Sequence, residues 1–208
     1  DGQRHITEGP FTKTTEPLAG YHIIDVASRD EAIEIASRLP DARTGTIEIR
    51  PLLPLPDALS LPGGDTHQRP STSPEKPKDY ILLMYAEAGV WPPEEHAAAL
   101  EESVQVCHQL HANGQFLSAA PLQPPETAAC VRIRNGSRAV VDGPFTETKE
   151  QLGGYFRIRV ATLDEAITVA ARIPGSRRGT AEIRSLSPLP ERTALPTTAK
   201  IAVASESE

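Results

Sequence analysis

Along the second half of the chain the apolar positions switch between continuous, helical and alternating patterns, and the elements can be read from those switches. The run DYILLMYA at 79–86 is continuously apolar and of strand length, which predicts a strand buried on both faces. Trp91-Pro92-Pro93-Glu94-Glu95 opens a helix, since proline is tolerated in a first turn and acidic residues suit a helix N-terminus. Leu100, Val104, Cys107 and His111 supply its apolar stripe, and Asn113-Gly114 closes it. A short strand at 115–119 follows. Segments 129–134 and 137–141 flank Asn135-Gly136, a strong two-residue hairpin signal. Alternation over 154–160 sets Tyr155, Arg157 and Arg159 on one face of a strand and Phe156, Ile158 and Val160 on the other. Thr162 and Glu165 form a capping box for a second helix, expected to bury Ala166, Ile167, Ala170 and Ile173 and to stop at Pro174. The last strand is expected at 179–186.

The order is β-α-β, hairpin, β-α-β: an α+β, ferredoxin-like pattern with an inserted hairpin arm. Its helices cover one sheet face and leave the other to be buried by something else.

The first part of the chain repeats the second. GPFTKTTEPLAGYHIIDVASRDEAIEIASRLPDARTGTIEIRPLLPLP, from Gly9, aligns without a gap on GPFTETKEQLGGYFRIRVATLDEAITVAARIPGSRRGTAEIRSLSPLP, from Gly143. The offset is constant (143 − 9 = 134), about three positions in five are identical, and such an unbroken match indicates duplication. The capping box recurs as Ser28 and Glu31. Only the second copy has the residues from about 78 to 135, so the first is expected to lack about 57 of them (135 − 78), making one half copy plus one full copy. The expected divisions are the half copy at 1–56, a Pro-rich linker at 57–77, the complete copy at 78–190 and a flexible tail at 191–208. Regular secondary structure is not expected anywhere over 52–79. A fragment of this size is marginal alone, so its open sheet face, carrying Tyr21 and Ile23, is expected to pack on the complete copy or on another chain.

Composition narrows the function classes. A net charge of -7 and a pI near 5.4, without a clustered basic stripe, argue against nucleic-acid and anionic-membrane binding. Two cysteines do not make a disulfide scaffold, and no apolar run has the length of a transmembrane helix. A reducing cytoplasm is the expected compartment. Residue 1 is Asp, which suggests a fragment or processed product.

The segment Val141-Asp142-Gly143-Pro144-Phe145, continuing through Thr-Glu-Thr-Lys-Glu-Gln-Leu-Gly-Gly to Tyr155, resembles the YCII-related "DGPF" domain family. The YILLMY strand, the LQPPETA loop, the DEA helix start and the final EIR strand extend the resemblance over the whole second copy. The first copy resembles the latter half only, with Glu8-Gly9-Pro10-Phe11 in place of DGPF. The resemblance implies a dimeric α/β-barrel type of ferredoxin-like fold. In the wider superfamily it also implies a catalytic His–Asp pair in a cleft, and one related member eliminates chloride from a chlorinated aromatic. This chain departs from that pattern: Ala112 and Asn113 stand where the acid belongs, and His96 and His108 lie off the expected spacing.

Among the remaining groups, Asp142 is the candidate general base, against a turn in which its carboxylate binds backbone N–H groups. Glu147 and Glu150 are candidate ligand-binding residues, against a solvated loop. Tyr155 and Arg157 are candidates for binding an anionic or aromatic ligand, against an inter-subunit contact. Cys107 and His111 sit at i, i+4, but two such groups do not make a metal site. No cofactor motif is present, so no cofactor or metal is expected. The functional expectation is a small-molecule binding protein or enzyme with its cleft at the open sheet face between the copies. The alternative is a non-catalytic regulatory or interaction module, linked by family context to transcription regulation. The expected partner is the protein itself, as a homodimer or intrachain pseudo-dimer.

Overall fold

The computed structural model describes residues 5–11, 16–63, 76–146 and 148–187. Its principal element is a four-stranded antiparallel sheet built from the second copy. Strands β2 (Lys78–Glu87), β3 (Phe116–Pro121), β6 (Glu150–Val160) and β7 (Gly179–Ser185) lie in the order β3-β6-β2-β7. That is the ferredoxin-like order, and helices α3 (Pro93–Ala112) and α4 (Leu163–Ala170) cover one face of the sheet. Leu82, Phe116 and Ile158 from the strands meet Cys107 and Leu110 of α3 and Ala166 and Val169 of α4 in the main core. The glycine at 179 is demanded by packing, because a Cβ there would come within 2.0 Å of the Tyr85 carbonyl oxygen across the β2–β7 ladder.

Strands β4 (Ala129–Arg134) and β5 (Ser137–Asp142) form the hairpin arm. Asn135 and Gly136 turn it with φ of 51° and 77°, the doubly positive geometry of a two-residue turn. A third strand joins from the first copy: β1 (Ile47–Ile49) pairs antiparallel with β4, Ile47 opposite Val131 and Ile49 opposite Ala129. Helix α1 (Arg29–Arg38) lays Ile33 and Ala36 on Ala129 and Val131, giving this second sheet its own small core. Arg134 donates to the carbonyls of Ala42, Arg43 and Gly45 (3.1 Å each), capping the C-terminal end of the short helix α2 (Asp41–Thr44).

Four expectations need correction. The first copy's residues 20–26, aligned with the core of β6, are extended coil with no ladder. In the second copy that segment is paired on both sides, by β2 and β3; nothing among the described residues supplies 20–26 with such neighbours. Tyr21 does pack on residues of the second copy, but Ile23 is 48% exposed. The buried positions of α3 are Val104, Val106, Cys107 and Leu110, while His111 faces solvent, so the helix is rolled away from the stripe expected for it. Helix α4 ends at Ala170 and buries Val169 rather than Ile167; Ile173 is buried beyond its end. The start of the Pro-rich segment is also ordered: Leu52 bridges to Leu122, a 3-10 turn spans Asp57–Leu59 and Leu61 packs on the main core. Residues 64–75 of the linker and the tail expected to be flexible lie outside the described residues.

Candidate functional site

Strand alternation and register place the polar groups of the open sheet face in rows. One row runs Ser118, Arg157, Ile81, Arg184 across β3, β6, β2 and β7; the next runs Ala120, Tyr155, Leu83, Glu182. Coil from the first copy lies over this face. The Phe11 ring is 5.2 Å from that of Tyr85, the Tyr21 ring is 6.4 Å from that of Tyr155, and the Arg157 guanidinium sits 5.9 Å from the Tyr21 ring centroid. Burial raises the Tyr21 phenol above its ordinary pKa, with Arg157 opposing the shift and Tyr155 and Asp79 adding to it. Tyr85 is pushed up to about 12, first by burial and then by the nearby Glu182 carboxylate.

The two arginines of β6 on this face differ. Arg159 makes a forked pair with Asp79, at 2.6 and 3.0 Å. Arg157 has Tyr21 against its guanidinium, and among the described residues its Nε is buried without an acceptor; the Ser118 hydroxyl, its neighbour in the ladder, is likewise buried without a partner among them.

Of the candidates from the sequence, Tyr155 and Arg157 are brought together on this face. Asp142 is elsewhere, at the end of β5 on the hairpin arm, with 82% of its side chain exposed and its carboxylate accepting from Arg29 of the first copy. Glu150 begins β6 opposite Glu87, and its Oε2 is buried without a hydrogen-bond partner among the described residues. Glu147 lies outside the described residues. Cys107 and His111 do not converge, since one is buried and the other exposed, and no group of three or more His, Cys, Asp or Glu residues among the described residues could hold a metal ion.

A cleft of about 130 Å³ lies on the opposite, helix-covered side of the sheet. Trp91, Leu100 and Val104 wall it on the α3 side, Met84 and Phe156 on the sheet side, and Leu61 from the Pro-rich segment adds to the lining. Few polar groups reach it. His96 is exposed at its rim, the Ser103 hydroxyl is engaged with the Ala99 carbonyl at 2.7 Å, and burial pushes the Cys107 thiol up to about 12. Sequence reasoning missed this cleft because three separate segments build it. The available signal was the chain's single tryptophan beside the double proline that opens α3.

The model of the YCII-related domain matches residues 2–56 and 79–190. An uncharacterized protein of Rhizobium meliloti (strain 1021) is 34% identical over 113 residues, which cover 52% of this chain and 91% of that relative.

Proposed function

The chain belongs to the YCII-related domain family, and we propose that it is a small-molecule-binding member that holds its ligand in the apolar cleft beneath α3 and does not turn it over. The cleft itself carries this reading. About 130 Å³ lined by Trp91, Met84, Leu100, Val104 and Phe156 suits a monocyclic aromatic or a compact aliphatic group, as apolar cavities of roughly 150 Å³ accept benzene. The state of the Cys107 thiol and the Ser103 hydroxyl, both described residues of the lining, supports binding over turnover. A thiol with a pKa of about 12 is neutral at physiological pH, and the Ser103 hydroxyl is already engaged in donating to a helix carbonyl.

Trp91 is the chain's single tryptophan, so its emission reports on the cleft directly. Titration with a panel of monocyclic aromatics is expected to change Trp91 fluorescence saturably and to raise the melting temperature. Ala99→Phe, which fills the cleft from α3, is expected to abolish both responses. A folded protein that shows neither response to any member of the panel would overturn the reading.

A second reading concerns the open face between the copies. Among the described residues the Nε of Arg157 and the hydroxyl of Ser118 have no partner, which favours a small anion there, since a buried donor without an acceptor costs about 1–3 kcal/mol. Thermal stabilisation by phosphate or a small carboxylate that disappears in Arg157→Gln would support it. Equal stabilisation of both proteins would reject it.

A further inference from the structure

The sequence Glu-Ile-Arg occurs at the end of each copy, as Glu48-Ile49-Arg50 and Glu182-Ile183-Arg184. In both, the arginine pairs with the glutamate two residues away, at 2.5 Å. What each pair holds belongs to the other copy. Glu182 accepts the backbone N–H of Phe11 at 3.3 Å, and Arg184 donates to the Leu18 carbonyl at 2.5 Å. Glu48 accepts the N–H of Phe145 at 2.8 Å, and Arg50 donates to the Leu152 carbonyl at 3.0 Å. Phe11 and Phe145 are equivalent under the 134-residue offset, and so are Leu18 and Leu152. Four hydrogen bonds are therefore one two-bond clamp made twice, with the roles of the copies exchanged.

We propose that the Gly-Pro-Phe loop is a docking element and the Glu-Ile-Arg strand its receptor, so that each copy of the domain recognises the other through a reciprocal clamp. The loop is built to present one donor. Proline has no N–H, so the Phe amide is the first donor after the glycine. Gly9 and Gly143 turn the chain with the same left-handed φ, 97° and 98°, which a side chain would resist. The receptor is built to hold charge away from water: the side chains of Glu182 and Arg50 are each 6% exposed, where charge-assisted bonds are strong and an abandoned partner is costly. The residues that differ between the copies at the head of the motif, Glu8 and Asp142, take no part in either clamp. This gives the Gly-Pro-Phe part of the motif a role in copy-to-copy recognition, and the partner the surface fits is another domain carrying the same loop.

Hydrogen exchange of the full chain, followed by mass spectrometry, tests the crossed arrangement. Glu182→Gln is expected to speed exchange at least tenfold in peptides covering 5–21, in the copy that does not contain the substitution. Glu48→Gln is expected to do the same for 143–152 while leaving 5–21 unchanged. Arg184→Lys keeps the charge but loses the guanidinium fork, and it repeats the Glu182 test should that variant fail to fold. Loosening confined to the substituted copy, or no change in either loop, would overturn the proposal.

Discussion

The two copies share most of their residues yet only part of their structure, and the line between the two parts follows the range of the interactions. The capping boxes are identical. Ser28 accepts from Glu31 N–H and Glu31 accepts from Ala27 N–H, at 3.2 and 2.9 Å, and Thr162, Glu165 and Ala161 repeat both bonds at the same lengths. Each closes within a few residues, so each copy makes it unaided. Strand β6 and its counterpart at 20–26 diverge, because a strand is completed by its neighbours. Ile158, between β2 and β3 and under the helices, is fully buried; its equivalent Ile24 is 43% exposed. A helix survives the loss of its sheet by finding another surface, as α1 does on the hairpin arm, whereas a strand without neighbours does not form.

That contrast can be broken most directly at the paired isoleucines. Ile158→Ala should cost about 2–5 kcal/mol, as expected for a fully buried aliphatic side chain, while Ile24→Ala should cost less than about 1 kcal/mol. Urea unfolding of the two variants decides it, and similar losses would mean that 20–26 is as well packed as β6.

The paired glycines come next. Gly179→Ala drives a Cβ into the Tyr85 carbonyl and should destabilise by about 1–3 kcal/mol or more. At Gly45 the nearest atom to a Cβ is 3.6 Å away, so Gly45→Ala should be neutral or stabilise by up to about 1 kcal/mol. Melting temperatures that fall equally would remove the distinction.

Alkaline pH should act mostly on the second copy, which holds both cysteines. Burial raises Cys107 from 9.0 to about 12 and is the leading cause of the rise of Cys130 to about 11. Between pH 9 and 12 the unfolded chain has therefore lost thiol protons that the folded chain keeps. The contribution of these thiols is fully present below pH 9 and declines as pH rises through that window. Urea midpoints should drop from pH 8 to pH 10.5, and Cys107→Val should flatten the drop. An unchanged slope would show that Cys107 plays no part.

The least effect is expected at Asp142. Its carboxylate is exposed and paired with Arg29, so Asp142→Asn should cost below about 1 kcal/mol and leave Trp91 titrations unchanged. Loss of ligand response would restore Asp142 to the site.

Much of the second copy was legible in sequence. Its strands and helices fall within a few residues of their expected positions because period, caps and the Asn-Gly turn are local properties. Tyr155 and Arg157 were placed on one face by alternation alone, and the structure brings them together there. The roll of α3, which buries Leu110 and exposes His111, depends on what the sheet offers and was not legible.

The sequence by itself determined the repeat, the family, the order of elements and the face on which each β6 side chain lies, since covalent order and backbone period are sufficient for these. Only the tertiary structure decided that β1 would join the hairpin arm, that 20–26 would remain coil and that each Gly-Pro-Phe loop would be held by the other copy. Those outcomes are settled by competition among surfaces far apart in the chain, where residues of nearly the same sequence take whichever neighbour remains free.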